Sequence, residues 1–545
     1  MSDSPQLLSG DEAIALAARH AGVRLGTGYP GTPSTEILET FDRLGGRAQW
    51  SPNEKVALEV GLGAVFGGAR TLVTMKHVGL NVAADPLFTA AYTDLAAGLV
   101  LVSADDPGMA SSQNEQDNRH YARAASLPML EPMDSQEAYD FTLLAYEISE
   151  RWHLPVMLRI TTRVCHSKTI VRPHDAPLPG QAIGPEPGFR RDIPARVMIP
   201  AYAKPAHRRL RQKLAEIAAW NDAEGPNRVF AGHPQVGLIA TGIAAMHARE
   251  AAPQACLLTI GLTYPLPLET IRTFAAGCER LVVLEEGDPV LLDALRAAGI
   301  PAQGKPEQYR FGELTVARVR RILAGDETAE PAPPKGKPPE LCQGCSHRGV
   351  FEVLRDMNCI VAGDIGCYTL GVLPPFQAMD TCVCMGASIG VGLGLRHVLP
   401  EEEARRVVSV IGDSTFVHSG LTGLAEMVYN PPATGHVVLI LDNGTTAMTG
   451  QQEHPGTGRT LNHDATGRIH FEDLARAMGV TNVHVVDFQA ADGTLEGLLK
   501  DLLTRSETSL IVARQPCVLA APKIRFYEKA AADRSTACPS QVVDD

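Results

Sequence analysis

Two apolar runs constrain this chain most: VVSVIGDS, ending at Ser414, and HVVLILDNG, ending at Gly444. Unbroken β-branched and aliphatic stretches of that length, each closed by turn residues, read as strands buried on both faces of a parallel sheet. The segment SGLTGLAEMVYN between them reads as a helix, so Asp413 and Asn443, thirty residues apart, leave two strand ends at one carboxyl edge. Open α/β sheets gather ligands along that edge. A carboxylate from Asp413, an amide oxygen from Asn443 and a backbone carbonyl near Thr445 form an oxygen set suited to magnesium, with further oxygens supplied by a diphosphate. Gly412 and Gly444 admit close backbone approach, and the helix beginning at Ser414 turns N–H groups toward a phosphate. GDS or DNG alone is an ordinary turn; the pair, each on its own strand, points to a metal–diphosphate site. A nucleoside-phosphate site fits less well, because no GxxxxGK[ST] run is present and the glycines of MGASIGVGLG lack the dinucleotide pattern.

The same alternation of helix and strand runs through most of the 545 residues, a length that suggests about three domains. Residues 1–178 begin with a helix over 11–21, continue through the bend GTGYPGTPST and a helix near Glu36–Leu44, and reach the small-residue helix Asn53–Ala69 and the strand RTLVTMK. Residues 179–326 carry a charged helix, HRRLRQKLAEIAAW, then the strands VGLIATG, CLLTIG and LVVLEEG, with a weaker strand near Gln308–Phe311. A Pro/Lys/Glu linker fills 327–340. A third α/β region spans 341–522, and a tail of little apolar content, 523–545, is expected to be surface-bound or loose.

A net charge of −13 gives no basic face for nucleic acid. The acidic start of the chain lacks the pattern of a signal peptide. The longest apolar stretch, Pro86–Val102, is broken by Asp94 and reads as a helix feeding a strand, so a cytoplasmic location without membrane insertion is expected. In such a compartment the eleven cysteines are thiols or metal ligands before they are disulfides. Cys342 and Cys345 form a CxxC, Cys367 follows in GDIGC, and Cys517 sits beside Pro516. Four soft ligands suit zinc or a [4Fe–4S] cube, and spacing alone leaves both open. His347 offers a further polar contact. Cys165, Cys256, Cys278, Cys359, Cys382, Cys384 and Cys538 lack such context, and most are expected to be buried small side chains.

These segments, together with GTGYPGTPSTEIL, WSPNEKVALEVGLGAVFGGARTLVTMKHVGLNVAADPL and SADDPGMASSQNEQDNRHYARAA, resemble the alpha subunits of indolepyruvate ferredoxin oxidoreductases. That family lies within the thiamine-diphosphate-dependent 2-oxoacid:ferredoxin oxidoreductases. The resemblance implies a three-domain α/β fold: a pyrimidine-binding domain (1–178), a transketolase C-terminal-like domain (179–326) and a diphosphate-binding domain (341–522). It implies oxidative decarboxylation of aryl pyruvates, of the indolepyruvate or phenylpyruvate type, with coenzyme A to aryl acetyl-CoA. Electrons would leave through one [4Fe–4S] cluster to ferredoxin or a partner subunit. By the same resemblance Glu54 contacts the aminopyrimidine, with Glu59 a poorer match; Thr32 helps hold the 2-oxoacid; and Lys76 and His77 approach the reacting centre. Arg119 and His120 are weaker substrate-site candidates. Gly366, Gly412, Asp413, Ser414, Asn443, Thr445 and Met448 contact the cofactor, Asp413, Asn443 and the Thr445 carbonyl bind magnesium, and Cys342, Cys345, Cys367 and Cys517 hold the cluster. A smaller beta subunit, two alpha chains per assembly and a thiamine site at a subunit or domain interface are also implied.

Family members commonly continue into a ferredoxin domain with two CxxCxxCxxxCP runs. Here the sequence ends in AAADRSTACPSQVVDD, so the cysteine quartet is expected to be the one cluster held. Two other readings stay open: non-oxidative decarboxylation of an aryl pyruvate, which needs no cluster, and a non-catalytic scaffold subunit.

Overall fold

The computed structural model describes residues 4–174, 186–331, 336–487 and 493–537. The 178/179 boundary, part of the linker, Cys538 and the last residues of the tail lie outside the described residues. The chain divides into two compact units, Met1–Ala332 and Pro333–Asp545.

The described residues of the first unit form three sheets. A small antiparallel pair joins β1 (Gln6–Ser9) to β8 (Lys168–Val171). The main sheet combines β2 (Leu25–Gly28), β3 (Ala48–Trp50), β4 (Thr71–Lys76), β5 (Leu99–Asp105), β6 (Met129–Leu130) and β7 (Val156–Thr161), all parallel, with β12 (Leu262–Tyr264) antiparallel on its edge, in the order β12-β6-β7-β5-β4-β2-β3. β4, β5 and β7 are buried at every position, as continuous apolar runs between helix layers require. The helix expected over 11–21 runs from Gly10 to His20; Ser9 Oγ accepts from Glu12 N at 3.2 Å while Glu12 Oε2 accepts from Ser9 N at 2.8 Å, closing a capping box.

A four-stranded sheet, β13-β10-β11-β9, is built from β9 (Arg228–Phe230), β10 (His233–Ala240), β11 (Ala255–Thr259) and β13 (Leu281–Leu284). Its fourth member is not the strand expected near Gln308–Phe311. Glu307–Arg310 is a 3-10 turn, and Arg228–Phe230 pairs antiparallel with β11 instead. Because β12 leaves this region to extend the main sheet, residues 186–331 pack as part of the first unit.

The second unit is built on five parallel strands: β14 (Ile360–Ala362), β15 (Val407–Gly412), β16 (His436–Asp442), β17 (Asn482–Asp487) and β18 (Thr508–Arg514), in the order β14-β15-β16-β18-β17. Alternate residues feed two cores. Val408, Val410, Leu439, Leu441 and Ile511 enter one, and Ile411, Val438, Ile440, Leu510 and Val512 the other. The glycine-rich helix Ala387–Val398 lies directly on this sheet, since a Cβ on Gly392 would stand 2.2 Å from Ser409 Oγ. Part of the tail is ordered as the helix Ala521–Ala537: Tyr527 stacks on His463 at 4.6 Å, and Ile524 is buried. Among the described residues no helix is long and apolar enough to cross a membrane.

Candidate functional site

In the first unit the segments after β2, β3 and β4 leave one carboxyl edge, because β2 pairs in parallel with both neighbours (Gly28 with Trp50 and with Thr74). Thr32 follows β2 and is half-buried; a Cβ on Gly31 beside it would stand 3.0 Å from Lys76 Cβ. Asn53 caps the helix Glu54–Phe66 by accepting from Val56 N at 2.9 Å, so Glu54 is the first helical residue and not the cap. Glu54 is buried, and its carboxylate lies against Gly79: a Cβ there would stand 2.5 Å from Glu54 Oε1. Glu59 is exposed and paired with Lys55.

Lys76 closes β4, and its Nζ donates to the Ser111 carbonyl at 2.6 Å. Burial pushes its pKa down, partly offset by Asp106. His77 is fully buried, with Nε2 3.2 Å from the Asn114 carbonyl, which fixes the proton there and leaves Nδ1 bare with no hydrogen-bond partner. Burial also lowers the His77 pKa, so the ring is neutral at pH 7.

Asn118 Nδ2 donates to the His77 carbonyl at 3.1 Å, and Arg119 and His120 open the helix that follows. Arg119 is fully buried, and its guanidinium is held by Asp117 (2.6 Å), Glu285 (2.5 Å) and the carbonyls of Glu286 and Asp288. It ties the main sheet's loops to the segment after β13, and its charge is met by Asp117 and Glu285. His120 is exposed and 3.1 Å from Asp288.

In the second unit β15 and β16 are adjacent, Gly412 pairing with Leu441, so Asp413 and Asn443 emerge side by side. Asp413 Oδ1 accepts from Ser414 N and Oδ2 from Gly444 N, each at 2.8 Å, with His454 Nε2 3.2 Å from Oδ2. Burial pushes this carboxyl up, but His454 and the two backbone N–H groups outweigh it and hold it below its ordinary value. Gly444, at φ +73°, sits in the left-handed region that favours glycine. A Cβ on Gly412 would stand 2.5 Å from the Tyr368 ring. Ser414 and Thr445 are buried, Thr446 Oγ1 donates to Ser414 Oγ at 2.9 Å, and Gly366 precedes Cys367 in the same unit. Met448 is 52% exposed.

Asn443 links this loop to the cysteines. Its Nδ2 donates to His347 Nε2 at 3.3 Å, and its carbonyl accepts from Cys517 N at 2.9 Å. Burial lowers His347 to about 4, so the ring is an acceptor at neutral pH and holds the amide nitrogen, turning Asn443 Oδ1 the other way. Cys345 N donates to the Cys342 carbonyl at 3.1 Å. The Cys367 thiol is pushed up to about 11 by burial first, and then by Cys345, Cys517 and Cys342. The four thiols therefore share one neighbourhood. By donor chemistry, the oxygen set around Asp413 suits a hard cation such as magnesium, and the sulfur set around Cys367 suits a soft metal or an iron–sulfur cluster.

The remaining cysteines depart from expectation. Among the described residues outside the quartet only Cys165 is buried; Cys382 and Cys384 are exposed, and Cys256, Cys278 and Cys359 are half-buried. Two polar residues of this unit were not foreseen. Asp364 is fully buried and accepts from the backbone N–H of Ile365, Gly386 and Ser388; its signal was available, since GDIG repeats the Gly-Asp strand-end pattern of GDS. His454, which flanks Asp413, follows no strand and had no such signal.

Residues 364–513 match the model of the thiamine pyrophosphate enzyme C-terminal TPP-binding domain, and residues 16–192 that of the pyruvate flavodoxin/ferredoxin oxidoreductase thiamine-diphosphate-binding domain. Over its length the chain is 39% identical to the indolepyruvate oxidoreductase subunit IorA of Methanothermobacter thermautotrophicus, covering 95% of this chain and 88% of that protein. The IorA subunit of Archaeoglobus fulgidus is 38% identical over 96% of this chain and 88% of its own. Among solved structures, a 2-oxoglutarate:ferredoxin oxidoreductase from Magnetococcus marinus superimposes with a TM-score of 0.50 at 17% identity, over 59% of this chain and 65% of that one, a likeness of fold.

Proposed function

The chain belongs to the family of indolepyruvate oxidoreductase IorA subunits, thiamine-diphosphate-dependent 2-oxoacid oxidoreductases, and on that footing we propose that it oxidatively decarboxylates aryl pyruvates such as indolepyruvate and phenylpyruvate. Coenzyme A takes the acyl group as an aryl acetyl-CoA. The electrons pass through one [4Fe–4S] cluster to ferredoxin or to a smaller partner subunit, within a hetero-oligomer containing two copies of this chain. The three-domain division, with a transketolase C-terminal-like middle domain, belongs to the same reading.

Thiamine diphosphate, when bound, supplies the electron sink that decarboxylation needs. Asp413, Asn443 and the Thr445 carbonyl hold its magnesium, and Gly366, Gly412, Ser414 and Met448 line the cofactor. Glu54 keeps a proton in play at its carboxyl toward the pyrimidine. Thr32, Lys76 and His77 receive the substrate: the Lys76 ammonium and the Thr32 hydroxyl suit a carboxylate, and neutral His77 offers a bare Nδ1 for a proton. Cys342, Cys345, Cys367 and Cys517 hold the cluster.

The observation that carries this reading is the bond from Cys517 N to the Asn443 carbonyl, which sets the sulfur nest against the magnesium loop. Through that bond the residues that would hold the cluster and those that would hold the magnesium belong to one connected loop network. The test is anaerobic co-purification with native partners, iron and acid-labile sulfide analysis, and an assay of coenzyme-A-dependent ferredoxin reduction with indolepyruvate. Iron near four per chain with acyl-CoA formation supports the reading; aldehyde release without dye or ferredoxin reduction overturns it.

A further inference from the structure

Outside the residues assigned to the thiamine site, the first unit places Asp11, Glu36 and His166 so that one donor atom from each lies within 4.8 Å of the others. They come from three elements: the helices Gly10–His20, Thr35–Arg43 and Thr162–His166. The approach of the first to the third is close and specific, because a Cβ on Gly10 would stand 2.3 Å from the Val164 carbonyl oxygen. That contact holds Asp11 beside Cys165 and His166.

Asp11 is 1% exposed, and neither of its carboxylate oxygens has a hydrogen-bond partner. The buried Cys165 thiol beside it supplies only a weak S–H donor, too little to satisfy a carboxylate. A buried carboxylate left this way is costly, and proteins normally pair such a group or give it a metal. The surroundings add negative charge: Glu36 faces it, and Glu12 on the next residue is engaged by Lys168 at 3.1 Å. Glu36 and His166 are exposed, so both can rotate without disturbing the core.

We propose that Asp11, Glu36 and His166 form a binding site for a divalent first-row cation of the zinc type. Two carboxylate oxygens and one imidazole nitrogen are a borderline-hard donor set, and three protein ligands leave one position for water. Bond lengths of roughly 2.0–2.2 Å place donors about 3–3.5 Å apart around one ion, so the cluster closes by rotation of its two exposed members. The bound ion neutralises Asp11 and cross-links three helices on one face of the first unit. No assigned cofactor and no step of the proposed reaction uses it.

The test uses the holoenzyme, purified anaerobically and saturated with thiamine diphosphate, magnesium and iron so that the other sites are filled. Calorimetric titration with Zn2+ is compared for the parent, Glu36→Gln and His166→Ala. The parent is expected to bind one further equivalent, with each variant weakened at least about tenfold, the lower range for disturbing a metal's surroundings. Zn2+ should also raise the unfolding temperature of the parent more than that of His166→Ala. Equal binding by all three proteins, or no further equivalent in the parent, overturns the site and leaves a proton as the occupant of Asp11. Because both substituted side chains are exposed, folding does not depend on them, and aryl-pyruvate oxidation is read separately on the same samples.

Discussion

Asn443 Nδ2 donates to His347 Nε2 across 3.3 Å, two residues beyond the CxxC of the sulfur nest. One neutral ring thereby sets the orientation of an amide whose oxygen belongs to the proposed magnesium set. His347→Leu removes the acceptor while keeping the volume apolar. It should weaken magnesium–thiamine diphosphate affinity by about 10–100-fold, the usual cost of losing a group that orients a metal ligand. Calorimetric titration with the cofactor and magnesium measures this; unchanged affinity would remove the orienting role.

Glu54 is expected to act through its proton and not through packing. Glu54→Gln keeps the shape and should cut turnover by about 10²–10⁴-fold, the range for a lost acid–base group, with diphosphate affinity changed little. Gly79→Ala provides an independent check, since its Cβ would press on Glu54 Oε1 at 2.5 Å and displace the carboxylate. Steady-state kinetics on both variants decides; full turnover in Glu54→Gln would end its assignment.

Cys367 is the most embedded sulfur in the quartet's electrostatic neighbourhood, with the other three thiols all acting on it. Cys367→Ala should lose most of its iron and acid-labile sulfide. Cys384→Ala, at an exposed cysteine outside the quartet, should keep both. Full iron retention in Cys367→Ala would break the four-ligand set.

Stability should fall as pH rises through the neutral range because of Glu137. Burial pushes its carboxyl from the ordinary 4.5 up to about 7, despite a hydrogen bond from Met133 N at 2.9 Å. The folded chain therefore holds a proton between those values that the unfolded chain has released, so unfolding is favoured as pH climbs through that window. Glu137→Gln should flatten the dependence between pH 4.5 and 7. It should also stabilise the first unit at pH 8 by up to roughly 3 kcal/mol, since each tenfold change in proton affinity is worth about 1.4 kcal/mol. Thermal unfolding followed across pH 5–8 checks the slope; a parent curve with no fall in that window contradicts it.

Local pattern made much of the architecture legible. Strand ends carrying Gly-Asp and Asp-Asn-Gly, the helix over 11–21 and the glycine helix at 387–398 all rest on short-range rules of periodicity and close approach. Elements whose pairing is remote were not legible. Arg228–Phe230 replaced Gln308–Phe311 as the fourth strand because sheet membership depends on which edge is free, and β12 crossed to another sheet for the same reason.

Contiguous motifs carry the family, the chemistry of the donor sets and the carboxyl edges on which they stand, so all three can be read along the chain. Which polar groups are already spent is settled by folding alone. Arg119 reads as a weaker substrate-site candidate in NRHYARAA, and folding buries it between Asp117 and Glu285. Asp11 reads as an ordinary first-turn acid, yet folding buries it without a partner. Burial and pairing are set by residues distant in the chain, and no local window contains them.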